Sequence, residues 1–325
     1  MTKLELGKHA MLISVNIING GLLGERKDAQ ASELVQTTYN VSDRRAKASK
    51  YLIDRTDKRV KRVVAWSQRV REVIYKYTLP WGDEKMRLVP TGIVNEFRDK
   101  LKQAIWELGE VREDYLNIYP HLVAQSEHDL GPLFDPSQYP SVDQARKLFQ
   151  TNVNWWPFPE TGHFIAEVSR AAESEAKHSM EREIEERLIE ATHDMVRRAQ
   201  EVVAAFIEKL EATEATFEGA HSDGTESWKS NGVIRDSLID NIHETADLIS
   251  RMNLTENSKI EKVVKDLNRL CNYSAEHWRR FPKAFQDDKP KALITAQEIL
   301  ANLQMIDMRD AEIHDMVSGG EEYMD

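Results

Sequence analysis

The first hydrophobic feature of the chain is an apolar, β-branched run from Met11 to Ile18, which ends at Asn19-Gly20-Gly21. Runs of this kind are typical of strands, and Asn-Gly tolerates the positive φ that a tight hairpin turn requires. The sequence therefore predicts a strand, a turn and a second short strand at Leu22–Gly24, which together form a short N-terminal β-hairpin.

From about residue 54 the apolar residues recur every three or four positions, which is the period of an amphipathic helix. A first long helix over about 54–77 carries one apolar stripe, made of Val60, Val63, Val70, Ile74 and Tyr77. Pro80, Gly82 and Pro90 then break the helical pattern. A second long helix is predicted from about Ile93 to Ala124.

The next segment is rich in proline and aromatic residues, with one short helix predicted at Val142–Phe149. It ends in Trp-Trp-Pro-Phe-Pro, residues 155–159, which is too apolar for a solvated linker. We therefore expect Trp155, Trp156 and Phe158 to be a buried structural anchor between the N-terminal helices and the helix that follows.

Residues 161–217 contain no proline and a single glycine, Gly162, and their apolar positions keep helical spacing. They predict one very long helix on the order of 80 Å. A single domain has difficulty covering such a length, and the middle of the helix, 173–187, is almost entirely polar. We therefore expect this helix to extend beyond the main body or to pair with another helix.

A polar, glycine-containing stretch at 218–232 is followed by three further helical patterns, at Val233–Met252, Ser258–Phe281 and Pro290–Met308, and by an acidic tail. The predicted fold is mainly α: a short N-terminal β-hairpin, long helices including the very long one, and a C-terminal helical bundle. The pattern divides the chain into three regions, 1–160, 161–219 and 220–325, the last with a frayed tail.

Composition fits a globular protein, with 325 residues of which 41% are hydrophobic and 30% charged. Cys271 is the only cysteine, so no intrachain disulfide is possible and a reducing compartment is expected. The first residues lack the pattern of a signal peptide, and no apolar run reaches the roughly 20 residues of a membrane helix. We therefore expect a cytoplasmic location and no membrane partner.

The sequence contains no motif that by itself supports catalysis. The glycines of residues 20–28 match neither a phosphate loop nor a dinucleotide fingerprint. Glu175–His178 and Glu190–His193 have the Glu-x-x-His spacing of di-iron helices, but they lie fifteen residues apart on one predicted helix, roughly 22 Å. We expect no enzyme activity, no cofactor and no metal site, and the sequence leaves open whether either pair ever binds a metal.

The strongest charge feature is the segment Arg44–Lys76, hereafter the basic segment. It contains twelve Lys and Arg against three acidic residues, a local charge of +9 in a chain of net charge −11, so the remaining residues carry −20. Its helical spacing places several cations and a tryptophan on one face, away from the apolar stripe. The candidate binding residues are Arg44, Arg45, Lys47, Lys50, Arg55, Arg59, Arg62, Trp66, Arg69 and Lys76.

Three interpretations of the basic segment remain open. It would neutralise nucleic-acid phosphates, with Trp66 or Tyr51 stacking on a base. Alternatively, it would meet an acidic protein surface, either of its own chain or of a second copy, since so much negative charge lies elsewhere. As a third reading, its cations are simply solvated.

Four stretches of the chain, residues 12–28, 51–92, 97–120 and 139–159, together resemble a family of uncharacterised proteins of tailed phages and proteobacteria. The resemblance covers roughly residues 10–215 and rests on the order of these pieces, including the turn at Pro90 after a long helix. Members are often encoded beside a MoxR-type AAA+ ATPase and a von Willebrand A-type protein that resembles a cobaltochelatase subunit. The resemblance implies a phage or prophage origin and work with an AAA+ machine, and it transfers no residue roles.

These observations predict a non-enzymatic interaction or assembly protein that associates with itself and is an adaptor for a MoxR-type AAA+ ATPase, in the host cytoplasm if it is encoded by a phage. The alternative is a nucleic-acid-binding protein of phage DNA metabolism that uses the basic segment at 44–76.

Overall fold

The computed structural model describes residues 9–19, 21–42, 45–82, 85–158, 170–220, 226–230, 234–254, 256–272 and 282–318. The described strands are β1 (Ala10–Asn19), β2 (Glu25–Asp28), β3 (Ala48–Tyr51), β4 (Leu79–Pro80), β5 (Met86–Pro90), β6 (Phe149–Pro157), β7 (Ala215–Ala220) and β8 (Glu226–Ser230). The helices are α1 (Ala29–Tyr39), α2 (Lys58–Tyr77), α3 (Val94–Leu130), α4 (Val142–Leu148), α5 (Arg170–Glu211), α6 (Asp236–Met252), α7 (Ser258–Leu270) and α8 (Pro282–Ser318). The predicted mainly-α fold with strands near the N-terminus and long helices is confirmed.

The N-terminal strand β1 lies inside a four-stranded antiparallel sheet of order β4-β5-β1-β6. The predicted turn does form, since Leu22 N donates to Asn19 O at 3.2 Å. The strand after that turn, however, is β2, and β2 pairs with β3 instead of folding back on β1. The predicted local hairpin is thus replaced by pairing of β1 with β5 and β6, because an apolar strand with two free edges gains two ladders in the middle of a sheet.

Helix α2 confirms its predicted apolar stripe, because Val60, Val63, Val70, Ile74 and Tyr77 are all buried. The helix begins after Asp57, whose side chain accepts a hydrogen bond from Arg59 N at 2.7 Å and so caps the first turn. Two clusters of buried side chains lie along α2 and α3. One contains the first half of α2, the second half of α3, and α4, and the other joins the sheet to α5–α8.

Helix α5 ends earlier than predicted, and the predicted part before residue 170 lies outside the described residues. It ends at Glu211, and Ala215–Ala220 is a strand rather than the end of the helix. Its 42 residues span about 63 Å. Between Ile184 and Leu210, nine of its apolar side chains are buried in the core that it shares with α6, α7 and α8. Of the two expected alternatives, pairing with another helix therefore describes this half of α5, because the C-terminal helices pack against it.

The C-terminal region contains the three predicted helices with altered bounds. The polar stretch that the sequence presented as a loop includes the two strands β7 and β8, which pair antiparallel with a register shift next to Gly219. Gly219 has φ of +149°, which other residues rarely adopt. The acidic tail, 319–325, lies outside the described residues.

Candidate functional site

The candidate cations of the basic segment are either exposed, paired with a carboxylate or placed against an aromatic ring. Arg44 lies outside the described residues, and Arg45 and Lys47 are exposed. Lys50 is buried: its Nζ lies 2.7 Å from Asp28 Oδ2, and it also donates to Leu133 O. Asp28 is at the same time the N-cap of α1, through its bond from Ala31 N. The assignment of Lys50 to a binding surface is therefore wrong, because the cation holds β2 and β3 against the end of α3.

Three further cations are paired with carboxylates of the same chain. Arg59 forms two hydrogen bonds to Asp57, at 3.1 and 2.9 Å. Arg62 lies 3.0 Å from Asp114 on α3, and Lys76 lies 2.6 Å from Glu244 on α6. The hydrogen bond from Arg59 holds the pKa of Asp57 below its usual value. Of the readings left open by the sequence, these contacts favour an acidic surface of the chain itself.

Arg55 and Arg69 have aromatic partners instead. The Arg55 guanidinium lies 5.2 Å from the centre of the Tyr51 ring, and that of Arg69 lies 5.0 Å from Trp66. Both distances are within the range of cation–π attraction. Trp66 is partly buried and packs against both hydrophobic clusters. A base would therefore have to displace Arg69 before it stacks on this ring.

The aromatic residues of 155–158 differ in burial, and Phe158 lies just beyond the end of β6. Trp155 is half-buried and meets Phe97 edge-on, with ring centres 6.0 Å apart. Phe158 is buried against Trp81 at 4.9 Å. Trp156 points to the other face and is 50% exposed. Trp155 and Phe158 thus fit the predicted anchor. Trp156 does not, because successive side chains of a strand face opposite sides, which places it away from Trp155.

A cleft of about 720 Å³ lies beside the end of α2, between β5, α5 and α6, and its lining includes Arg87, Asp194 and Arg198. Arg198 donates to the backbone oxygens of Lys76, at 2.9 Å, and of Thr78, at 2.7 Å. These carbonyls belong to the C-terminal end of α2, where cations are favoured. Sequence analysis missed this cleft, because its walls come from four elements that are distant along the chain.

Asp194 and three arginines of the cleft contact one another, the backbone or neighbouring side chains. Asp194 is buried and accepts from Arg198 Nε at 2.9 Å, and Arg197 also donates to it. Arg87 donates to Thr78 Oγ1 at 2.8 Å and lies 4.7 Å from the centre of the Tyr75 ring. Burial lowers the pKa of the Arg87 guanidinium. These contacts join α5 to the end of α2, so we assign a structural role to the cations of the cleft.

The two histidines of the Glu-x-x-His pairs lie in different surroundings, and the side chain of Glu175 lies outside the described residues. His178 is exposed, with its Nδ1 3.7 Å from Glu181, while Glu190 and His193 line the cleft. Among the residues described here, no three His, Cys, Asp or Glu side chains are grouped as metal ligands would be. Cys271 is half-buried, and burial raises the pKa of its thiol to about 11.

None of the helices described above is both long and apolar enough to cross a membrane. Comparison of the chain with family models, curated proteins and solved structures finds no match. The site must therefore be interpreted from its own geometry.

Proposed function

We propose that this protein is a non-enzymatic helical scaffold, which works by binding other proteins and a second copy of itself. The observation that carries the proposal is the pairing of the basic segment inside the chain. Lys50, Arg59, Arg62 and Lys76 all lie within 3.0 Å of a carboxylate oxygen of the same molecule. The pairs of Lys50, Arg62 and Lys76 connect different helices and strands, and cations paired in this way are less available to phosphates.

Exposed apolar side chains on α1 support protein binding. None of the eleven residues of α1 is buried, and Leu34, Tyr39 and the neighbouring Val41 are 66%, 73% and 41% exposed. Isolated helices of this length are marginal in water, so α1 depends on its contacts with β2 and β3. Large apolar side chains on a surface element are a common feature of protein-binding sites.

The sequence resemblance suggests which partners to test first, namely a MoxR-type AAA+ ATPase and a von Willebrand A-type protein in the cytoplasm of the host. In that setting the scaffold is an adaptor that presents its surface to the ATPase. Copurification of the tagged full chain with each protein, beside a variant carrying Leu34→Ser and Tyr39→Ser, tests the adaptor role. Capture that is equal for both forms would contradict a role for α1.

The test of the scaffold itself is the mass of the purified chain by light scattering at micromolar concentration, with and without single-stranded DNA. We expect an oligomeric mass that DNA does not change. A monomer that gains mass on addition of DNA would refute the proposal.

A second candidate function, binding of single-stranded nucleic acid, is favoured by Arg55 and Arg69. Among the described residues these two cations have aromatic neighbours and no carboxylate within salt-bridge distance. If nucleic acid binds, replacing both by Gln should lower the salt dependence by about 0.7 in log–log slope for each lost phosphate contact. The matched control replaces the ion-paired Arg59 and Arg62 by Gln and should keep most of that slope.

A further inference from the structure

Strand β6 is the edge of the main sheet, and apart from the proline at its last position it is neither short, nor bulged, nor charged. It pairs with β1 on one side, and no described strand lies on the other. The ladder with β1 runs through nine consecutive pairs, from Met11–Pro157 to Asn19–Phe149, without a bulge. Natural edge strands are commonly short, bulged or charged, because an unpaired edge is a template for another strand.

The composition of β6 suits pairing with an identical strand. Its nine residues contain no Lys, Arg, Asp or Glu, and the only proline is at the last position. Like charges placed directly opposite each other destabilise a strand pair, so an uncharged strand avoids that penalty when it meets its own copy. In a chain that is 30% charged, β6 is therefore an unusual surface element.

The exposed face of β6 is self-complementary. Its outward side chains are Gln150, Asn152, Asn154 and Trp156, which are exposed, while the alternate side chains are half-buried towards α3. An antiparallel two-fold centred on Val153 would place Asn152 of each copy opposite Asn154 of the other. The same axis would place Trp156 opposite Gln150. Amide side chains both donate and accept hydrogen bonds, so each cross-strand pair of this face is compatible.

We propose that two copies of the chain associate by antiparallel pairing of their β6 strands about Val153, which extends the two four-stranded sheets into one of eight strands. This inference rests on the proposed self-association and specifies its surface. Main-chain hydrogen bonds supply the attraction in such strand addition, and side chains set the register. The contact is uncharged while each copy carries a net charge of −11. Added salt should therefore preserve or strengthen it, because salt screens the repulsion between the two copies.

The test changes the charge of two outward positions and follows the mass of the full chain by sedimentation. Asn152→Lys with Asn154→Lys places lysines opposite each other twice across the axis. We expect dissociation to become at least about tenfold easier, which is about 1.4 kcal/mol. Asn152→Lys with Asn154→Glu places opposite charges together and should restore the dimer. Asn16→Lys is the control, because Asn16 is exposed on the same face of the sheet but lies on β1, opposite Asn152.

The inference is supported if the double-lysine variant loses the dimer, the lysine–glutamate variant restores it and the Asn16→Lys control keeps it. A double-lysine variant that folds and remains as dimeric as the wild type overturns the pairing through β6. The chain would then associate with itself through another surface. A monomeric wild type overturns both the pairing through β6 and the proposed self-association. If the double-lysine and the lysine–glutamate variants are both folded monomers, the two-fold axis at Val153 is wrong. Circular dichroism checks the fold. If the double-lysine variant unfolds, Asn152→Glu with Asn154→Glu replaces it, because it also places like charges opposite each other twice.

Discussion

Replacing Phe158 by alanine should destabilise the protein far more than replacing Trp156, although the two residues belong to one aromatic segment. Phe158 is 6% exposed and its ring centre lies 4.9 Å from that of Trp81, which is itself 1% exposed. Trp156 leaves half of its surface in solvent. Because burial and not residue size decides the loss, the smaller side chain should matter more.

The expected magnitudes follow from this difference in burial. Truncating a buried Phe to Ala typically costs about 3–5 kcal/mol of unfolding free energy, of which an aromatic pair such as that with Trp81 contributes about 0.5–1.5 kcal/mol. A half-exposed Trp should cost about 1 kcal/mol. For a chain of 325 residues, unfolding entropy of about 2.1 cal/mol/K per residue converts these values to a fall in Tm of about 4–7 °C for Phe158→Ala and about 1–2 °C for Trp156→Ala.

Calorimetry of both variants beside the wild type measures these shifts. The scans should be run at low protein concentration. Self-association through β6 would add a stabilisation that depends on concentration, and Trp156 lies on the strand that pairs. If Trp156→Ala lowers Tm as much as Phe158→Ala does, the assignment of Phe158 to the core and of Trp156 to the surface is refuted.

Three further predictions concern buried polar groups. Burial raises the pKa of Tyr77 and Tyr119 to about 12, from an ordinary 10. The stability that they contribute should be full below pH 10 and lost as the pH rises through 12, so tyrosinate absorbance should appear together with unfolding rather than before it. Cys271, with a raised thiol pKa, should react with a disulfide reagent at neutral pH much more slowly in the native chain than in denaturant; equal rates would contradict its burial. Arg112→Ala should lower the unfolding free energy by about 3 kcal/mol in a denaturant titration, because it leaves buried acceptors such as Asn19 Oδ1, now 3.0 Å from Arg112 Nη2, without a donor; a loss below about 1 kcal/mol would show that water replaces the guanidinium.

The sequence by itself determined where most of the long helices lie and, for α2, which face is buried. In α2, the spacing of Val60, Val63, Val70, Ile74 and Tyr77 identified the buried face, and the structure buries all five. This succeeds because the period of a helix is local: residues three or four apart share a face whatever the helix packs against. For the same reason the apolar run at Met11–Ile18 identified a strand.

Only the tertiary structure decided which partners these faces and charges meet. Arg62 and Asp114 are 52 residues apart in the sequence, and no local pattern relates them. Lys50 and Arg69 are both cations of the basic segment. Lys50 is nevertheless buried in a salt bridge with Asp28, whereas Arg69 lies over the ring of Trp66. Likewise β1 could have paired with any strand of suitable length, and its pairing with β5 and β6 depends on where α2 and α3 return the chain. Partner choice is a property of long-range geometry, which the period of a sequence does not encode.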